Sequence, residues 1–144
     1  AGGLDIATAL SAGKYYFKTP HVVNVHLEGK IIPPASAKDI ILHILKKSGV
    51  KGGVGKILEY TGPGSSSLSL TERATICNMG AELGATTSIF ETDHKTLEYL
   101  DFQGRSGDYL EIKADPDAHY DEKIVINLND IVPMIAKPHS PDNV

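Results

Sequence analysis

The sequence predicts an α/β domain: a three-layer α/β/α sandwich in which a mixed or largely parallel sheet carries helices on both faces. Three observations predict it. Helical and strand periodicities alternate along the chain, so neither an all-α nor an all-β arrangement fits. The 144 residues are 41% hydrophobic and 22% charged, the balance of one domain able to bury a real core. No internal repeat interrupts the alternation, and residues 1–144 read as a single domain.

Each element has a local reason. Leu4 to Leu10 is a short helical stretch closed by Gly13, and Pro20 stops any helix in the following "YYFKTP". "HVVNVHLE", His21 to Glu28, alternates Val23, Val25 and Leu27 with Val22, Asn24, His26 and Glu28, which predicts a strand with one better-buried face. "EGK" turns the chain, "IIPP" extends it, and "SAKD" (Ser36 to Asp39) has capping-box spacing for a helix to about Lys47. Ile40, Ile41, Ile44 and Leu45 form that helix's apolar side, Lys46 and Lys47 suit its C-terminal dipole, and Gly49 ends it. "KILEY" is a second strand, and Ser69 with Glu72 caps a helix that Gly84 closes. Thr86 to Phe90 is β-branched and aromatic, hence a strand. Thr92 or Asp93 caps a helix to about Leu100, "DFQGRSGD" is loop, Tyr109 to Lys113 is expected as a short strand, and "KIVINL" is the last clear one.

The connections carry less chemistry than they suggest. "GVKGGVGK" invites comparison with a phosphate-binding loop, but the G-x-x-x-x-G-K-[ST] spacing fails: Val50 stands five before Gly55, and Ile57 follows Lys56. It reads as a flexible turn. "TGPGSSS" reads as a mobile loop, and Ser65, Ser66, Ser67 and Ser69 as loop and cap residues.

One feature of the helix in "LSLTERATICNMGAELGATTSIF" points toward a site. At roughly 100° per residue, Thr71, Thr75, Asn78 and Glu82 fall within about 60° of one another. The surround of Leu70, Ala74, Ile76, Cys77, Met79, Ala81 and Leu83 is apolar or small. Such a pattern suits a helix packed nearly all round except where it faces a cleft. Asn78 and Glu82, four apart, then project together, and a carboxyl at a dry cleft serves as an acid or base.

Composition excludes several classes. Net charge is −4 with 14 scattered Lys and Arg, so no basic patch argues for nucleic acid or a membrane surface. No apolar run approaches the roughly 18 residues of a membrane span. The single Cys77 excludes an internal disulfide and any all-cysteine metal or cluster site from this chain alone, and a cytoplasmic or equivalent reducing compartment is expected. The start at "AGGLDIATAL" without Met and the polar stop at "AKPHSPDNV" suggest one domain of a longer protein.

The stretches "EYTGPGSSSLSLTERATICNMGAELGATTSIF", "VKGGVG" and "HYDEKIVINLNDIVPMIAKPHSPDNV" together resemble the second domain of the aconitase family over essentially the whole chain. The resemblance implies a hydro-lyase interconverting citrate and isocitrate through cis-aconitate, with a 4Fe-4S cluster whose open iron binds substrate. It matches Asn78 to an asparagine beside the cluster. It matches Glu82 to an acidic residue that hydrogen-bonds the iron-bound water or the substrate hydroxyl, which makes Glu82 the expected acid for the departing oxygen. Cys77 is not a family cluster ligand. The three ligand cysteines, an Asp-Ser-His group and the substrate arginines belong to other parts of such enzymes. This chain is therefore expected to hold no metal and to be inactive alone, with the remaining domains of the same enzyme as its partners. Alternatives are the corresponding domain of an isopropylmalate, homoaconitate or methylcitrate dehydratase, or a stand-alone binding module.

Overall fold

The computed structural model describes residues 2–144. Its elements in chain order are helix α1 (Gly3–Ala12), strand β1 (His21–Glu28), helix α2 (Ala37–Ser48), strand β2 (Lys56–Thr61), helix α3 (Leu70–Met79), strand β3 (Thr87–Phe90), helix α4 (His94–Phe102) and strand β4 (Glu122–Asn127). The strands form one sheet in the order β3-β2-β1-β4, and every neighbouring pair is parallel. The α/β class expected from alternation holds, and the wholly parallel sheet with its helices is consistent with the three-layer order. Parallel neighbours need long crossovers, and α2 and α3 lie in those from β1 to β2 and from β2 to β3.

The core forms where the strand period and the helix period present apolar faces to each other. Val23, Val25 and Leu27 of β1, Leu58 and Tyr60 of β2 and Ile126 of β4 pack in one cluster with Ile40, Ile41, Ile44 and Leu45 of α2 and Ile76 of α3. Burying each large aliphatic side chain contributes about 1.5–3 kcal/mol. The alternate β1 position Asn24 is also buried, because its amide donates to Thr61 Oγ1 at 3.0 Å on the neighbouring strand. His26 Nδ1 stands 3.2 Å from the same hydroxyl.

Caps fall where spacing placed them. Asp39 accepts from the Ser36 amide at 2.7 Å and, through its other oxygen, from the Met134 amide at 2.7 Å, so the start of α2 also anchors the C-terminal segment. Glu72 accepts from the Ser69 amide at 2.7 Å while Ser69 Oγ accepts from Glu72, closing the box at α3. At α4 the cap is Asp93, not Thr92: its carboxylate accepts from Lys95 and Thr96 amides. Gly13 ends α1 in left-handed geometry, yet α1 buries none of its residues.

Four expectations change. The "TGPGSSS" loop is anchored instead of mobile: the Gly64 amide donates to Leu27 O at 2.8 Å, Ser65 and Ser67 hydroxyls bond back to Gly62 and Gly64, and Ser65 is buried. Gly62 adopts φ +90°, and a Cβ there would stand 2.5 Å from Leu27 O, so the glycine permits this close approach. The "GVKGGVGK" turn is likewise held, with the Gly53 amide on Leu83 O at 2.9 Å and the Val50 amide on Asp142. Its Gly52, Gly53 and Val54 amides all serve internal carbonyls, which leaves no amide cradle for a phosphate.

Tyr109 to Lys113 is not a strand. Its bonds to the segment after β3 all run to Thr92, which donates to Leu110 O and Ile112 O and accepts from the Ile112 amide, so no ladder propagates. The fourth change concerns α3. Only Arg73 and Ile76 are buried within it, because α2 occupies the centre of the layer and α3 lies over the edge strand β3. Ala74, Thr75, Asn78 and Ala81 face solvent. Small residues fit either environment, so the wide apolar surround did not mean burial.

Candidate functional site

The site is built from the end of α3, the 3-10 turn Gly80–Leu83 and the entry to β3. The helix stops regular winding at Met79, and Gly84 at φ +74° turns the chain into the sheet. Between these segments lies an open cleft of about 660 Å³, including open solvent. Cys77, Asn78 and Ala81 line one side, Thr86, Thr87 and Ser88 the other, and the buried Gly80 lies between them. No charged side chain lines this cleft. It offers an amide, hydroxyls and a thiol, all neutral, which can orient a polar ligand but cannot neutralise one.

Of the two predicted residues, Asn78 lines the cleft and Glu82 does not. A 3-10 turn advances about 120° per residue, so positions three apart eclipse. Asn78 and Ala81 therefore share the cleft wall, while Glu82 stands one step beyond on the exposed surface of the turn. Glu82 enters none of the ion pairs among the described residues. Its carboxylate is accessible to a group approaching from outside this chain.

Cys77 is half-buried, and burial pushes its thiol pKa up, which disfavours thiolate. Burial, then the neighbouring Cys77, also raises the pKa of Tyr60, whose hydroxyl finds no hydrogen-bond partner. Among the described residues, Ser88 Oγ is the other buried side-chain polar atom without a partner, and a methyl at Gly80 would collide with it. Ser88 and Cys77 also line an adjoining cleft of about 600 Å³, again including open solvent, with Leu70, Ala74, Ile89 and Phe90.

Sequence reasoning missed Arg73, which is 3% exposed. Its side chain donates from Nη2 to Asp93 at 2.6 Å, from Nη1 to Glu91 O at 3.3 Å and from Nε to Leu68 O at 3.2 Å. A signal was present: Arg73, Ile76, Gly80 and Leu83 follow one another at helical spacings along the inward line.

Among the described residues, no group of three or more His, Cys, Asp or Glu stands close enough to hold a metal ion. Cys77 is the sole thiol. The residues present thus do not form a ligand set for an iron-sulfur cluster. No helix among the described residues is long and apolar enough to cross a membrane.

The fold and site define a parallel α/β domain with an open cleft of neutral polar lining at the turn from α3 into β3. The sequence model described as "Aconitase family (aconitate hydratase)" matches residues 1–144, and the chain belongs to the aconitase family. It is 46% identical over 142 residues to the 3-isopropylmalate dehydratase large subunit of Caldicellulosiruptor saccharolyticus, covering 99% of this chain and 33% of that protein. It is 45% identical over 148 residues to the mitochondrial aconitate hydratase of Schizosaccharomyces pombe, covering 98% of this chain and 19% of that protein. It is 41% identical over 143 residues to the 3-isopropylmalate dehydratase large subunit 2 of Archaeoglobus fulgidus, covering 99% of this chain and 34% of that protein. The chain therefore spans about a third of one kind of relative and about a fifth of the other.

Proposed function

We propose that this chain is one domain of a hydro-lyase that removes water from, and returns it to, a hydroxy polycarboxylic acid, and that it supplies part of the active-site wall. The observation that supports this most strongly is the family match over residues 1–144, together with an accessible Asn78 and Glu82 at one helix-to-strand turn. The proposed substrate pair is citrate and isocitrate through cis-aconitate. A second reading, 3-isopropylmalate, is favoured by relatives of that name at 41–46% identity across a third of their length. The proposed compartment is the cytoplasm or an organelle matrix; relatives named mitochondrial support the latter.

Dehydration has two demands: a proton leaves a weakly acidic carbon, and an oxygen departs as water. Glu82 is proposed to deliver the proton the departing oxygen needs. Asn78 is proposed to orient the reacting acid or adjacent solvent by hydrogen bonding from the neutral wall. The carbon base, the 4Fe-4S cluster with its ligands and the groups that neutralise the substrate carboxylates are proposed to come from the remaining domains. When bound there, such a cluster supplies a Lewis acid for the leaving oxygen.

The test is to express the full-length protein anaerobically and offer citrate, isocitrate and 3-isopropylmalate separately, following the absorbance of the new carbon-carbon double bond. Turnover of citrate and isocitrate supports the first reading. Turnover of 3-isopropylmalate alone replaces it with the second. A cluster-loaded protein inert to all three and to other hydroxy polycarboxylates would remove the hydro-lyase reading.

A further inference from the structure

We infer that Arg73 is a positioning residue for the cleft that carries Asn78; its catalytic consequence rests on the proposed function, its geometry does not. Arg73 lies on α3 five residues before Asn78 but points inward. Its donors reach three segments. Nε holds Leu68 O, just before α3; Nη1 holds Glu91 O, just after β3; Nη2 holds the Asp93 carboxylate, which caps α4. The guanidinium carbon lies 5.7 Å from the centroid of the Phe90 ring, which stacks on Tyr60 with centroids 4.6 Å apart.

These contacts join the two elements that form the cleft. Asn78 belongs to α3, and Thr87 and Ser88 belong to β3. Where α3 meets β3 at one end, Gly80 approaches Ser88 without a side chain between them. At the other end Arg73 ties the helix to Phe90 and Glu91. The helix is thereby seated at two points on an edge strand only four residues long.

Stability alone does not call for an arginine here. Burying a guanidinium carries a desolvation cost, and an apolar side chain of similar volume would fill the space without it. What an apolar side chain lacks is direction: it would accept several slides of α3 along β3, whereas a three-way fork accepts one. Lysine could still meet Asp93, but its point charge cannot hold both carbonyls in the same plane.

The experiment uses the full-length protein with Arg73→Met and Arg73→Lys, and Asp93→Asn as a separate probe of the clamp. Hydrogen-deuterium exchange is read on peptides spanning residues 77–88, and kcat and KM on the substrate the wild type turns over. Arg73→Met is expected to fold, to exchange faster across the cleft, and to lose about 10- to 100-fold in kcat with KM little changed, the scale of a displaced reacting geometry. Arg73→Lys should recover part of both readouts, and Asp93→Asn should reproduce part of the loss. If Arg73→Met does not fold, the same comparison with Arg73→Lys decides the matter. Wild-type exchange over residues 77–88 together with wild-type kcat per folded molecule in Arg73→Lys and Asp93→Asn would overturn the inference. If the wild type turns over no hydroxy acid, the proposed function fails, and the exchange data alone still decide whether Arg73 holds the cleft.

Discussion

Arg73 and Asp93 meet in a charge-assisted hydrogen bond of 2.6 Å, with side chains 3% and 19% exposed. Twenty residues apart, they join the start of α3 to the start of α4. Burial by itself raises the Asp93 pKa, but the hydrogen bond and charge of Arg73, with the Thr96 and Lys95 amides, outweigh it and hold the carboxyl below its ordinary value.

The consequence is an acid-sensitive contribution to stability. A carboxyl with a depressed folded-state pKa stabilises fully above its unfolded value, 3.8, and that stability is lost as pH falls through the folded-state value. Asp93→Asn leaves a buried guanidinium without its counter-charge, so it should cost about 3–5 kcal/mol near neutrality. The gap between variant and wild type should narrow below about pH 4. Urea unfolding at a series of pH values checks this; a gap that stays constant into acid would mean that Asp93 ionisation is not the source.

Two residues on α3 separate packing from function. Ile76 is fully buried against the core, whereas Asn78, two positions on, is exposed at the cleft. Ile76→Ala should cost about 2–5 kcal/mol through lost burial and a residual cavity. Asn78→Ala should stay within about ±0.5 kcal/mol. If Asn78 orients the reacting acid as proposed, the order should reverse for turnover per folded molecule of the full-length protein, with only Asn78→Ala slowed. An Asn78→Ala variant as destabilised as Ile76→Ala would show that the amide serves the fold.

Legibility in the sequence followed the distance over which each signal acts. Caps at Ser36 and Ser69, the closure at Gly84 and the alternation of Val23, Val25 and Leu27 are local, and they were readable because a few neighbours determine them. The order β3-β2-β1-β4 depends on pairing between distant segments and was not. Arg73 was missed because its partners lie five to twenty residues away, outside any single helical turn. The two site candidates of the polar stripe are placed differently, Asn78 on the cleft wall and Glu82 beside it. Thr71, Thr75 and Asn78 follow the 3.6-residue period, but the chain tightens to 3-10 winding at Gly80, so extrapolating that period carried Glu82 into the cleft wall it stands beside.

Cys77 gives a chemical test of the packing around α3. Its thiol pKa is raised by burial, and the thiolate is the reactive species, so the native protein should react slowly with disulfide reagents at neutral pH. Denaturant should expose the thiol and accelerate labelling to the rate of a free cysteine. Equal labelling rates in folded and unfolded protein would contradict the half-buried placement.

Glu82 carries the sharpest functional prediction. Its side chain stands on the exposed face of the Gly80–Leu83 turn, so replacing it should leave the fold within about ±0.5 kcal/mol. Glu82→Gln retains the shape and a hydrogen-bonding amide but removes the titratable proton. If the carboxyl delivers that proton to the departing oxygen, full-length Glu82→Gln should lose about 10² to 10⁴ in turnover, the usual worth of an acid-base group. Glu82→Asp keeps the proton on a shorter arm and should recover part of the rate, a pattern that a purely solvated residue cannot produce. Turnover is to be measured at matched cluster content, so that a change in loading is not mistaken for a change in proton transfer. A fully loaded Glu82→Gln enzyme with wild-type turnover would leave Asn78 as the only side chain of the polar stripe with a proposed part in the reaction.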